Sequence, residues 1–311
     1  MRISENALNA LTACEYCGVG KAWVNKNLRG GETVEQIVRL IRGKDPSVDV
    51  EGFLHKKVTI CEEIEGLDEA IDGVVGIGDA DFPQIQKEVK TGDRPIALVY
   101  KGDISLIKAT TGNVAVIGLL SPSGQIEEDE RNVVRQLVEQ GKCVVSGLAL
   151  GCDTIGHRET LDRGGKTVAF LSSPLTQVNP PSNRPLADEI VAKGGLLVSE
   201  YFRNVHSKRE FIGRYAERDR LQAMFAEAVV LAASYSPRDY GKDSGSRFAL
   251  GKAIEYGVPR YVIYDACRDG GNPMFNLSRE AISNGARVIK PGEDFSITVA
   301  LSCGSQLEFN I

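Results

Sequence analysis

From residue 114 onward, short apolar runs alternate with longer segments in which apolar positions recur at helical spacing. The runs occupy residues 114–118, 143–146, 167–171, 196–200, 228–232 and 260–264, with a weaker one at 287–289. Between them, the segment 127–140 sets Val134, Leu137 and Val138 along one side, and 248–256 does the same with Phe248, Ala249 and Ile254. A run that is apolar on both faces needs cover on both faces, and the intervening helices supply it. The pattern predicts an α/β fold for residues 96–311: a Rossmann-like, doubly wound, mostly parallel sheet of about six or seven strands. In such sheets ligands bind outside the carboxyl ends of the strands.

Residues 1–95 read differently. Ala7, Leu8, Leu11 and Thr12, then Val34, Ile37, Val38 and Ile41, predict small amphipathic helices, with Gly18-Val19-Gly20-Lys21 as a turn between two of them. The expectation is a small helical N-terminal module over residues 1–95, with residues 84–106 leading as a linker into the main domain. A Gly-x-Gly turn between short helices recurs in helix-hairpin-helix and sterile-alpha-motif-like modules, where it can hold a nucleic-acid phosphate at a helix start. The same turn also serves a plain helical cap.

Composition narrows the class. The 311 residues are 42% hydrophobic and 25% charged, as in an ordinary globular chain of about two domains. There is no run of about 18 apolar residues and no apolar stretch behind a basic start, so a cytoplasmic location is expected. Seven cysteines form no even framework, which suits reduced thiols. Cys14-x-x-Cys17 is the one close pair and no second half of a zinc site follows it, so neither metal nor cofactor is expected.

The formal net charge of −5 excludes a globally basic nucleic-acid coat. It leaves room for a local patch. Arg203, Lys208, Arg209, Arg214, Arg218 and Arg220 lie close together in sequence, against Glu210, Glu217 and Asp219. That segment reads either as a phosphate-tracking surface or as a solvated helix face with internal ion pairs.

The most suggestive chemistry lies where the run 143–146 meets a helix-like segment. Ser146, Gly147 and Gly151 outline a loop whose backbone and hydroxyl donors could hold a phosphate at a helix start. Their spacing fits neither G-x-G-x-x-G nor the Walker pattern, so neither a dinucleotide nor ATP follows, and a simple tight turn remains open. Asp153 and His157 are four residues apart on one helical face. No nucleophile motif accompanies them, so an Asp153–His157 hydrogen bond that stiffens the loop is expected, and no catalytic residue is assigned. Arg218 and Arg220 straddle one position at the expected start of a helix, 221–227, as a candidate phosphate clamp, with one of the two expected to be structural. Asn183 and Arg184 follow two prolines as a polar tip. Lys208 and Arg214 add charge, and Lys242 with Ser244-Gly245-Ser246 forms a second small-residue turn that could complete an anion groove. Tyr201, Phe202, Phe211, Tyr215 and Tyr240 lie nearby, where aromatic rings could stack on bases.

Taken in order, these segments resemble the DNA-processing protein A (DprA/Smf) family. Ser146-Gly-Leu-Ala-Leu-Gly-Cys-Asp153 with His157 and Leu161 is similar to its signature S-G-x-A-R-G-I-D-x-x-A-H-x-x-A-L. Asp81-Phe-Pro83, Arg94 to Gly102, Gly164 to Leu171, Pro180 to Asn183, Gly195 to Glu200, Arg218-Asp-Arg220, Ser244-Gly-Ser246 and Asn276 to Ala286 resemble its other motifs in family order. The resemblance implies a non-catalytic protein that binds and protects single-stranded DNA during natural transformation or recombination, with RecA as a partner and a homodimer as its assembly. Three departures stand out. Gly118-Leu-Leu120 replaces G-[ST]-R, Leu150 stands at the signature arginine, and Asp219 at the middle asparagine of R-N-R. Each lost arginine removes a counterion-releasing contact, which lowers both affinity and its salt dependence. The alternative is a nucleotide-derivative binder or a phosphoribohydrolase similar to the LOG family on the same glycine loop. The P-G-G-x-G-T-x-x-E motif of that family is missing, and its nearest equivalents are Ser244-Gly245-Ser246 and Glu255.

Overall fold

Ten strands join one sheet in the order β1-β2-β3-β7-β6-β5-β4-β8-β9-β10 in the computed structural model, which describes residues 1–110, 112–239 and 245–297. The strands are β1 (Arg2–Ile3), β2 (Gly73–Gly76), β3 (Ala97–Gly102), β4 (Asn113–Ile117), β5 (Cys143–Ser146), β6 (Thr167–Leu171), β7 (Leu196–Ser199), β8 (Ala228–Leu231), β9 (Arg260–Ile263) and β10 (Arg287–Ile289). The helices are α1 (Glu5–Ala13), α2 (Lys21–Asn27), α3 (Val34–Ile41), α4 (Val50–Glu65), α5 (Gly124–Glu139), α6 (Cys152–Asp162), α7 (Arg184–Ala192), α8 (Lys208–Met224), α9 (Ser246–Glu255), α10 (Ala266–Asp269) and α11 (Asn276–Ser283). Lys242, Ser244 and Tyr240 lie outside the described residues.

The seven apolar runs are β4 to β10, and all their pairings with one another are parallel. From β4 the chain winds outward through β5 and β6 to β7, then returns to the other side of β4 for β8, β9 and β10. The winding therefore reverses between β4 and β8, whose register pairs Val114 with Ala228 and Ile117 with Leu231. That reversal opens a crevice at the carboxyl ends of these two strands. Successive residues of β6 feed opposite cores, Val168 and Phe170 one, Ala169 and Leu171 the other. This is the two-sided burial that the unbroken apolar runs imply.

Three strands were not legible as such. β1 and β2 come from within residues 1–95, and β3, antiparallel to both β2 and β7, lies in the segment expected to be a linker. β1 has only two residues, and β2 is Gly-Val-Val-Gly, so neither shows a period that a sequence pattern can register. The N-terminal helices do form their own apolar cluster, around Val24, Ile37, Ile41 and Phe53.

Helix α8 also differs from expectation. It starts at Lys208, where the Ser207 hydroxyl accepts from the Glu210 N–H, and runs to Met224. Arg218 and Arg220 thus lie in its last turns, not at a helix start, and the N-terminal dipole is not available to them. The helix buries Arg214, Arg218, Asp219, Arg220 and Gln222 and is apolar inside only at its end, at Leu221, Ala223 and Met224, so it lacks the continuous apolar stripe that marks a helix in sequence. Among the described residues no helix is long and apolar enough to cross a membrane.

Candidate functional site

A cleft of about 660 Å³ lies at the winding reversal, beyond the carboxyl ends of β4 and β5 and between α8 and α9. Its walls carry Leu120, Leu150, Phe211, Ile212 and Phe248, five large apolar side chains that are all exposed. Its floor carries Asp153, Arg218, Asp219 and Gln222, all buried. An exposed apolar cluster of this kind around one concavity marks a ligand surface.

The glycine loop borders the cleft, but its donors are engaged within the protein. Ser146 is fully buried and donates its hydroxyl to Val116 O at 2.7 Å. The N–H groups of Gly147 and Ala149 both donate to Asp153 Oδ2 at 3.1 Å. A carboxylate of the chain therefore stands where the sequence suggested a phosphate, satisfying the same donors by the same electrostatics. Gly147 has no room for a side chain, because a Cβ there would fall 1.2 Å from Arg218 Nη1. Gly151 starts α6 with φ 71°, a conformation glycine takes freely.

Between these glycines, buried Leu148 holds φ 62°, a left-handed backbone that costs about 1–2 kcal/mol for a residue with a Cβ. Asn183 compensates. Its buried amide donates to Leu148 O at 2.9 Å, Ala149 O at 3.2 Å and Thr154 Oγ1 at 2.9 Å. The polar tip expected to meet a ligand is thus the clamp of the loop. Asn183→Ala is expected to lower stability by about 1–3 kcal/mol, by leaving buried acceptors without a donor. Urea unfolding would show this as a lower midpoint at unchanged slope.

The arginines are likewise spoken for. Arg218 Nη1 donates to Phe170 O at 3.3 Å and lies 3.7 Å from Asp153 Oδ2, and Nε lies 3.0 Å from Asp219 Oδ1. One guanidinium thus faces two carboxylates. Burial pushes the Asp219 carboxyl up to about 6 against the pull of Arg218, and the charge of Asp153 adds to the rise. Arg220 forms a bidentate pair with Glu200 at 2.6 and 2.7 Å and donates to Asp93 O at 2.8 Å. The expected clamp of Arg218 and Arg220 does not form. Residues two apart on a helix face different ways, here one toward the cleft floor and one toward Glu200 at the end of β7.

Arg214 donates to Arg203 O at 2.8 Å, pairs with Glu210 at 2.6 Å and lies over the Tyr201 ring. Arg203 reaches Glu15 at 2.7 Å and Glu63 at 2.6 Å, tying the segment to the N-terminal helices. Lys21, in the Gly-x-Gly turn, lies 3.0 Å from Glu217 and 3.3 Å from Glu200. The segment 203–220 is therefore chiefly a network of internal ion pairs, with Lys208 and Arg209 exposed. Arg184 is half-exposed, donating to Leu175 O at 3.3 Å and lying 3.6 Å from Asp188.

The expected Asp153–His157 hydrogen bond is absent. Asp153, in the first turn of α6, turns back to the N–H groups of Gly147 and Ala149, and fully buried His157 places Nδ1 2.6 Å from Thr167 Oγ1. Thr167 passes its own proton to Val144 O at 2.7 Å, so the imidazole Nδ1 carries the donor hydrogen. Burial, reinforced by Arg218, pushes His157 down to about 3. On the far side of the cleft, Gly245 and Ser246 line the start of α9, and the Ser246 hydroxyl donates to Gly118 O at 3.2 Å. Glu255, near the other end of α9, pairs with Lys90 and Lys252 and does not line the cleft. Sequence reasoning missed Ile212 and Gln222, and it placed Phe248 among core positions. Helical spacing alone does not distinguish an apolar side chain facing the core from one facing a cleft.

A model of the family described as DNA recombination-mediator protein A matches residues 73–300. The DNA processing protein DprA of Streptococcus pneumoniae is 30% identical over 202 residues, covering 65% of this chain and 66% of that protein. Protein Smf of Synechocystis is 34% identical over 155 residues, 49% of this chain and 37% of that one. The chain thus spans about two thirds or less of the length of these curated relatives. The X-ray structure of the Streptococcus pneumoniae DNA processing protein A matches with a TM-score of 0.68 at 24% identity, over 93% of this chain and 95% of that one, and shows the shared fold. A structure of DNA processing protein A from Helicobacter pylori, described in terms of its single-stranded DNA binding mode, matches with a TM-score of 0.56 at 25% identity, over 70% of this chain and 90% of that one.

Proposed function

Because the chain belongs to the DNA recombination-mediator protein A family, we propose that it binds single-stranded DNA and holds it more through the bases than through the phosphates. The observation that carries this reading is the cleft itself. It offers apolar and aromatic walls at Leu120, Leu150, Phe211, Ile212 and Phe248, while Arg218, the cation of its described floor, is bracketed by two carboxylates. Unstacked bases present flat apolar faces that such walls accept whatever the sequence. Leu120 and Leu150, which stand where the family resemblance leads one to expect arginines, belong to those walls. The single-stranded DNA binding described for the Helicobacter pylori relative supports the same class of ligand. Delivery of the strand to a RecA-type recombinase, a homodimeric assembly, action in the cytoplasm during DNA uptake and a non-catalytic role complete the proposal. The buried, neutral His157 fits a structural post.

Titration of a labelled single strand by fluorescence anisotropy across a range of salt tests it. With Arg218 the one cation among the described residues that line the cleft, log K should fall by less than about 1.5 per decade of salt, the slope for about two phosphates on a single strand. Phe211→Ala and Phe248→Ala should each weaken binding by about 1–3 kcal/mol, the range for base–aromatic stacking. A slope several times steeper, or full affinity in both variants, would put the strand on another surface. Absence of binding even at low salt would refute the reading.

A further inference from the structure

We propose that Asp219 and Gln222 make the cleft selective for nucleobases that carry an exocyclic amino group. The inference rests on single-stranded DNA entering this cleft and adds a choice among its bases. Both residues belong to α8 and line the floor. Asp219 Oδ1 lies 3.0 Å from Arg218 Nε and accepts from Gln222 Nε2 at 3.1 Å. Oδ2 accepts no hydrogen bond among the described residues, and the side chain retains 12% of its exposure. Gln222 is 2% exposed, and its Oε1 is sheltered from water with no hydrogen-bond partner among the described residues. The bond to Asp219 sets the orientation of this amide, because a flipped Gln222 would bring its oxygen against a carboxylate oxygen.

The floor therefore holds two acceptors that lack donors, and its cation already faces two carboxylates. Arg218 is engaged by Phe170 O, Asp153 and Asp219. An ionised carboxylate accepts only, and a buried acceptor left without a donor is costly. An amino group brings two N–H donors and can answer both Asp219 Oδ2 and Gln222 Oε1. Cytosine, adenine and guanine carry one. Uracil and thymine instead present a carbonyl at the position where cytosine has its amine, which sets oxygen against oxygen. Sites built to bond one polar group discriminate strongly against a ligand that lacks it, whereas the apolar walls accept either ring.

Cytosine and uracil give the cleanest test, since the two rings have the same shape. Labelled oligo-dC and oligo-dU of equal length are compared by anisotropy at neutral pH. The expected result is binding of oligo-dC about tenfold more tightly or better. In Asp219→Asn, whose amide can donate as well as accept, the ratio should shrink to within about twofold. Gln222→Met, which lacks the acceptor, should also shrink it, and serves if Asp219→Asn fails to fold. Equal affinity of the wild-type protein for the two strands overturns the inference and leaves strand binding intact, as does an unchanged ratio in both folded variants. Binding of neither strand refutes the functional reading, and the inference with it.

Discussion

Arg220→Ala is expected to destabilise the protein by about 3–5 kcal/mol, the range for removing one partner of a buried ion pair. The side chains of Arg220 and Glu200 are only 5% and 3% exposed. Their two parallel hydrogen bonds depend on the planar guanidinium fork, and the same group also bonds the carbonyls of Asp93 and Glu217. Alanine would leave the Glu200 carboxylate buried, with Lys21 at 3.3 Å as its remaining cation. Lysine should rescue little, since a single ammonium cannot reproduce the bidentate geometry. Replacing both partners, as Arg220→Met with Glu200→Leu, should recover most of the loss, because no lone charge is then stranded. Urea unfolding of the three variants decides it, and a loss below about 1 kcal/mol in Arg220→Ala would mean that the pair is worth no more than a surface one. The consequence reaches function. This pair docks α8 against the end of β7, and α8 presents Arg218, Asp219 and Gln222 to the cleft.

Glu130→Gln is expected to remove a pH dependence of stability. Glu130 lies on α5 with no exposure, and neither carboxyl oxygen has a hydrogen-bond partner among the described residues. Burial pushes its carboxyl well above the usual carboxylate range, the Cys152 thiol beside it opposes the rise, and the charge of Asp153 adds to it. The folded protein therefore keeps a proton that the unfolded chain releases once the pH passes about 4.3. Where the folded state binds more protons than the unfolded state, stability falls as pH rises. Glu130 should thus cost nothing below its unfolded value and progressively more as the pH climbs toward its folded value. The amide of Glu130→Gln does not titrate, so the variant should gain on the wild type with rising pH, by up to about 1.4 kcal/mol per pH unit between the unfolded and folded values of Glu130. Unfolding curves of both proteins between about pH 5 and pH 8 provide the measurement. Parallel curves would show that Glu130 does not hold the proton. Asp219, raised to about 6, acts in the same direction over a narrower window and is common to both proteins.

The seven parallel strands, most of the helices between them and the place of the glycine loop at the strands' carboxyl ends were legible in the sequence. Periodicity is a local property, and a run apolar on both faces can be buried only between covering layers. β1, β2 and β3 were not, because strands of two to six residues with glycines or polar ends acquire their identity from a neighbour: β2 from β3, and β3 from β7. Helix α8 escaped for the complementary reason. Beside Leu221, Ala223 and Met224 it buries Arg214, Arg218, Asp219, Arg220 and Gln222, which bond one another or distant carbonyls where apolar packing would otherwise be read.

The candidate site divides along the same line. Composition and order determined the family resemblance, the glycine loop, and the loss of arginines at Leu120 and Leu150. Only the tertiary structure decided what those residues do. Asp153 takes the N–H groups of Gly147 and Ala149, Asn183 clamps Leu148, and Arg203, Arg214 and Arg220 of the basic segment are paired with Glu15, Glu63, Glu200 and Glu210. A string of residues states which charges a chain carries, but pairing depends on distances between segments up to 196 positions apart. Those distances exist only once the sheet has formed. Folding thus turned an expected cationic groove into an apolar cleft with an acidic floor.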